Sequence, residues 1–187
     1  MSELLLIALG AALVNNLALT ELLGASTMVR APRGLAAALA LGLATGLTLL
    51  LCGVFAVWIE RVVLERLAMP HLRLPVFVAT VAAATWHVHA LLRWLAPRFS
   101  SLVPPPLLGL NVAVLGVVLL ASGAGRGLVA TLIHALGAAA GFALALALFA
   151  GLRDRLLQAD VPLAFRGAPI LFVTAGLLSL AFMAVAG

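Results

Sequence analysis

Six uncharged, largely apolar stretches divide this chain of 187 residues, at 4–20, 34–59, 74–92, 99–125, 127–152 and 167–187. Each approaches or exceeds the roughly 20 residues that an α-helix needs to cross the hydrocarbon core of a bilayer. Hydrophobic residues make up 65% of the chain and charged residues 9%, with a mean hydropathy of +1.27. Soluble domains are about half apolar and a quarter charged, so a water-soluble enzyme is excluded and lipid is the solvent. The first stretch does not read as a cleavable signal, because it opens with Glu3 and no basic residue.

The last three stretches repeat the first three in degenerate form. Asn16-Leu17-Ala18-Leu19 returns as Asn111-Val112-Ala113-Val114, at an offset of 95. Ala40-Leu41-Gly42-Leu43-Ala44-Thr45-Gly46 returns as Ala135-Leu136-Gly137-Ala138-Ala139-Ala140-Gly141 at the same offset, and Pro75–Thr80 returns as Pro169–Thr174 at 94. Three spans per half is an odd number, so the second half must enter the membrane from the opposite side. The expected fold is an all-α integral membrane protein. Its single domain, 1–187, holds six transmembrane helices as two inverted three-helix repeats, 1–95 and 96–187. Spans one and four read as interrupted. Asn15-Asn16 falls midway through the first, and Pro104-Pro105-Pro106 precedes Gly109-Leu110-Asn111 in the fourth. Interrupted spans at matching places in two inverted halves point to a shared central site.

The formal net charge is +5, and all eleven basic residues are arginine. They flank the spans instead of forming a dense run, which fits lipid headgroups and gives no nucleic-acid footprint. Loops one, three and five hold seven arginines (Arg30, Arg33, Arg93, Arg98, Arg153, Arg155, Arg166), against four (Arg61, Arg66, Arg73, Arg126) on the other side. By the positive-inside rule the first set faces the cytoplasm and both termini lie on the outer face. Trp58 and Trp94 stand at span ends as interface anchors, whereas Trp86 falls inside span three. The lone Cys52 excludes an intrachain disulfide and reads as a small apolar residue.

Asn15, Asn16 and Asn111 are the leading site candidates. Their amides either line a central polar site or hydrogen-bond between helices as packing contacts. Glu21, one turn beyond span one, is either solvated or placed to touch a cation. His87 and His89, two apart on a helix, point about 200° from each other and cannot chelate one metal. His89 shares a face with Arg93 and is an ionisable candidate, or else a histidine reaching interfacial water. His134 reads as an interior histidine. The Gly-xxx-Gly spacings at Gly42/Gly46 and Gly137/Gly141 suit close helix packing. No phosphate loop, nucleotide fingerprint, zinc site or hydrolytic triad occurs, so neither a catalytic residue nor a metal ligand is assigned.

Several segments are similar to a known family. Leu13-Val14-Asn15-Asn16, Asn111 followed by Ala113-Val114-Leu115-Gly116, and the run from Leu148 to Met183 resemble the paired six-span subunits of Rnf and Nqr complexes. That run includes Ala159-Asp160-Val161-Pro162 and Thr174-Ala175-Gly176-Leu177-Leu178-Ser179-Leu180-Ala181-Phe182-Met183. The similarity covers nearly the whole chain and is greatest to the A subunit of Rnf and the E subunit of Nqr. It implies membership of an ion-translocating electron-transport complex of the bacterial inner membrane, passing electrons from ferredoxin to NAD or from NADH to quinone. It also implies other complex subunits and a homologous six-span partner of opposite orientation. The two such subunits share an intramembrane [2Fe–2S] cluster, each giving two cysteines.

The chain departs from the family at those cysteines. The Leu-Gly-x-Cys-Pro pattern reads Leu23-Gly24-Ala25-Ser26-Thr27, with Ser26 at the cysteine position. Thr-Thr-Asn-Cys-Ala-Val-Leu-Gly reads Gly109-Leu110-Asn111-Val112-Ala113-Val114-Leu115-Gly116, with Val112 there. Such clusters are held by four thiolates. The family's span-three Glu aligns with His89, and its Gln three residues earlier with Trp86. The expectation is therefore a non-catalytic subunit with no [2Fe–2S] cluster, serving as scaffold or ion path. A stand-alone inverted-repeat transporter or channel is the alternative, distinguished by forming a homo-oligomer with transport activity.

Overall fold

In hydrocarbon every backbone N–H and C=O must be satisfied within its own segment, and the apolar stretches accordingly fold as helices. The structure, a computed structural model, describes residues 2–16, 18–20, 23–31, 34–67, 70–109, 111–123 and 127–186, and these contain no strand. Helix α1 (Ser2–Leu9) runs into a π-helical turn, Gly10–Val14, and stops at Asn15. A short α2 (Ala25–Arg30) follows. The long α3 (Leu35–Ile59) continues through a second π-helical turn, Glu60–Leu64, into α4 (Glu65–Leu67). Next come α5 (Arg73–Leu95), α6 (Pro97–Ser100), α7 (Pro105–Gly109) and α8 (Val112–Gly123). The chain ends with α9 (Leu128–Leu156) and α10 (Ala168–Ala186).

Three helices among the described residues are long and apolar enough to cross a membrane: Leu35–Leu64, Arg73–Leu95 and Leu128–Leu156. The apolar helices Glu3–Val14 and Ala168–Ala184 are shorter. In the stretch 99–125 the division differs from the one the prolines suggest. Pro105 and Pro106 occupy the first turn of α7, where a helix has no use for backbone donors, and the helix ends after Gly109 instead. α9 outruns its uncharged stretch to Leu156, because Arg153 and Arg155 in its last turn complement the negative end of the helix dipole.

α3 and α9 form the centre and approach through small residues. In lipid no hydrophobic force presses helices together, so backbone proximity and dispersion carry the contact. A Cβ built on Gly42 would lie 2.8 Å from Ala143 Cβ, and one on Gly46 would lie 3.1 Å from Ala139 Cβ. The second glycine pair serves a different neighbour. A Cβ on Gly137 would run into the Ala8 carbonyl, and one on Gly141 would lie 2.5 Å from the Ala12 carbonyl oxygen. One Gly-xxx-Gly therefore seats α9 on α3, and the other seats α1 and its π turn on α9.

Buried residues gather in two clusters along this axis. One joins Leu19, Met28, Leu41, Leu108, Phe142, Leu146 and Phe149. The other joins Leu49, Cys52, Phe77, Val114, Val117, Val118 and Ala135. The tryptophans all point outward, with Trp58 57%, Trp86 72% and Trp94 81% exposed, as residues meeting lipid or a neighbouring protein would be.

Candidate functional site: two asparagine breaks beside the α3–α9 crossing

The first break is held together by one side chain. Asn16 is buried, and its Nδ2 donates to the carbonyls of Ala12 (2.9 Å) and Gly141 (3.0 Å). Its Oδ1 accepts from the Ala18 N–H at 3.2 Å. Its carbonyl accepts from the N–H groups of Leu19 and Thr20 and from the Thr20 hydroxyl. Ser179 of α10 donates to the Leu19 carbonyl, covering another backbone group freed by the break. An amide left unpaired at this depth costs several kcal/mol, at least on the order of 2.

The second break uses the same device. Asn111 is buried, its Oδ1 accepts from the Ala113 N–H at 3.2 Å, and its Nδ2 donates to Thr45 Oγ1 at 3.3 Å. The two asparagines are 95 residues apart, and each bonds across to the other half of the chain. Asn16 reaches α9 at Gly141, and Asn111 reaches α3 at Thr45. The position 95 residues before Gly141 is Gly46, the neighbour of Thr45. Asn15 differs: its side chain is exposed and its N–H closes the π turn onto Gly10 at 2.6 Å. Of the three asparagines, Asn16 and Asn111 are the buried pair.

Gly24 packs against the second break. It sits at φ +90°, a conformation that side chains rarely adopt, and a Cβ there would lie 2.9 Å from the Phe142 ring and 3.0 Å from Asn111 Oδ1. Ala113 is the next nearest group, at 3.3 Å. Ser26 lies two residues beyond Gly24, and Val112 stands between Asn111 and Ala113. Ser26 and Val112, the two positions that the resemblance aligns with cysteines, thus flank one contact. Both face outward: Ser26 is exposed on α2 while Thr27 and Met28 behind it are buried, and Val112 is 52% exposed at the start of α8. No thiol is nearby. Cys52 is buried in the second cluster, with Phe77 and Val117. A hydroxyl and an isopropyl group are not the donor set of an iron–sulfur cluster, and the residues present do not fit one.

Glu21 lies outside the described residues. His89 is half-buried on α5, and its Nδ1 is buried with no hydrogen-bond partner. His87 is exposed, with Nδ1 2.7 Å from the Ala83 carbonyl and its ring edge-on to Trp86. No group of three or more His, Cys, Asp or Glu side chains suited to a metal ion occurs among the described residues. Two features escape a reading by sequence. Arg153 of α9 donates to the Ala31 carbonyl (2.7 Å) at the C-terminal end of α2. Arg73 grips Glu60 with two hydrogen bonds at the far end of α3. Both pairs join residues distant in sequence through carbonyls or turns that carry no motif.

The Rnf-Nqr family model, described as "Rnf-Nqr subunit, membrane protein", matches residues 4–187. This chain belongs to the Rnf-Nqr membrane-subunit family. Among its relatives, a protein of Azoarcus sp. (strain BH72), named as the A subunit of the ion-translocating oxidoreductase complex, is 41% identical. The proteins of the same name from Cereibacter sphaeroides (strain ATCC 17029 / ATH 2.4.9) and Vibrio campbellii (strain ATCC BAA-1116) are 41% and 39% identical. Each comparison covers 100% of this chain and 98% of the relative. Membership in the Rnf-Nqr family is therefore a property of the whole chain.

Proposed function

We propose that this chain is a membrane subunit of an ion-translocating oxidoreductase complex, in the place of the A subunit, and that it works without the family's [2Fe–2S] cluster. The subunit role follows from full-length similarity to relatives that carry that name. The single observation that carries the cluster-less reading is the donor set, Ser26 and Val112 at the two outward-facing cysteine positions. A partner of the same family could bring two thiolates, too few for the four that two iron atoms require.

The same outward face is where a homologous six-span subunit of opposite orientation would pack. The inverted-repeat plan is supported by the reciprocal bonds of Asn16 and Asn111 across the halves and by the shared offset of 95. On that plan the chain sits in the bacterial inner membrane with both termini on the outer face. Its own residues hold the two half-helix breaks rigid beside the crossing and close the backbone groups that the breaks expose.

Affinity purification of the tagged chain from its native membrane tests the subunit role. Stoichiometric recovery of a second six-span subunit together with cofactor-bearing subunits is expected. Recovery of a homo-oligomer alone would overturn it.

A further inference from the structure

The turn from α9 into α10 encloses a cavity of about 470 Å³. The chain reverses there through a short 3-10 turn, Leu163–Phe165, and through Gly167 at φ +90°. α9 is one of the three helices long and apolar enough to cross a membrane, so its end lies where hydrocarbon gives way to headgroups. Arg153 and Arg166 are the charged side chains of the cavity wall. They are set among Leu156 and Leu157 at the end of α9 and Ile170 and Leu171 in the first turn of α10.

Each guanidinium is held in place by backbone carbonyls and keeps one edge for a ligand. Among the described residues Arg153 donates through Nη1 alone, to the carbonyls of Ala31 (2.7 Å) and Val29 (3.5 Å), which leaves its Nε–Nη2 edge. Arg166 donates through Nε to the Val161 carbonyl at 2.8 Å, which leaves its Nη1–Nη2 edge. Asp160 Oδ1 stands 4.0 Å from Arg166 Nη2, but its side chain is wholly exposed and water weakens the pair. No carboxylate lines the cavity among the described residues. Two N–H groups on one guanidinium edge match two oxygens of a phosphate.

Charge and wall composition together decide the occupant. A free phosphate would satisfy the arginines and gain nothing from Leu156, Ile170 and Leu171. A phospholipid with an anionic headgroup uses both, with its phosphate on the guanidinium edges and its first acyl carbons against the apolar wall. The connecting segment is itself suited to a lipid surface. Leu163 is 82% exposed and Phe165 50%, beside the exposed Arg155 and Arg166. Bulky apolar side chains next to arginines are the composition of segments that lie in the headgroup layer. Basic pockets between membrane helices hold anionic headgroups. We propose that the cavity between the end of α9 and the start of α10 binds one anionic phospholipid, with its phosphate held by Arg153 and Arg166.

The test is photo-crosslinking of the tagged chain in the intact, co-purified complex, reconstituted in phosphatidylcholine vesicles. The vesicles carry a trace of either phosphatidylglycerol or phosphatidylcholine with a diazirine in the acyl chain. Peptide mass spectrometry should find the phosphatidylglycerol adduct on residues 156–171 at least about tenfold above the phosphatidylcholine adduct, as two arginines predict. Unlabelled phosphatidylglycerol should displace it, and inorganic phosphate should not. Arg166→Gln should lower the adduct by about fivefold, the share of one arginine beside an anionic headgroup, and Arg166→Lys should retain most of it. Equal labelling of 156–171 by the two lipids would overturn the site. Displacement by inorganic phosphate would make the occupant a free anion and overturn the lipid assignment. Labelling by neither lipid would show a neighbouring protein in the cavity, and would overturn the proposal as well. Co-purification is scored on the same samples, so loss of the complex is read separately from loss of the lipid.

Discussion

Asn16 and Asn111 stand at equivalent breaks, yet their amides face different acceptors, and that difference is testable. Asn16 Nδ2 donates to two carbonyls, which cannot donate in return. Asn111 Nδ2 donates to the Thr45 hydroxyl, which can reverse the bond. Replacing either by alanine strands the N–H of Ala18 or Ala113 and is expected to cost about 1–3 kcal/mol. Asn16→Asp sets a carboxylate against two carbonyl oxygens, whereas Asn111→Asp keeps an acceptor for Thr45. Thermal unfolding in detergent should therefore rank Asn16→Asp well below Asn111→Asp. Equal melting temperatures would show that the bond to Gly141 contributes nothing. The pairing of Asn16 with Asn111 was legible in the sequence, because they repeat at one offset inside apolar stretches. That Asn15 points outward was not, since two adjacent asparagines at a break differ only in which face the π turn gives them.

At the scale of elements, glycines that look alike in sequence carry different loads. Gly141 receives the backbone of the π turn after α1, and a Cβ there would lie 2.5 Å from the Ala12 carbonyl oxygen, whereas Gly176 on α10 has nothing within 4 Å. Gly141→Ala is expected to destabilise by about 1–3 kcal/mol, as overpacking does. Gly176→Ala should be neutral or stabilising by up to about 1 kcal/mol, the ordinary gain of alanine over glycine inside a helix. Melting of the two variants checks the pair, and the reverse order would contradict the α1–α9 contact. Sequence spacing revealed both Gly-xxx-Gly motifs but not their partners, because the small face they meet is spread over Ala8 of α1 and Ala12 of the π turn without a motif of its own. The proline run is compatible with a helix for a local reason, since prolines are tolerated in the first turn of α7, which ends at Gly109.

At the scale of the whole molecule, arginine asymmetry and the proposed three spans per half set the expected orientation. On a Cys52→Ala background, Arg98→Cys should react with an impermeant reagent only in inverted vesicles, and Arg66→Cys only in intact spheroplasts. Labelling of Arg98→Cys from outside would reverse the orientation. The apolar stretches and the family were readable because composition and motif survive along the whole chain. The Glu60–Arg73 pair was not, because it forms only where the end of α3 meets the start of α5. The central claim is the proposed lack of an iron–sulfur cluster at the two outward-facing positions. Electron paramagnetic resonance and iron analysis of the anaerobically purified complex, compared between the natural chain and Ser26→Ala, test it most directly. Identical iron content and identical spectra are expected; a reducible [2Fe–2S] signal that disappears with Ser26→Ala would contradict it.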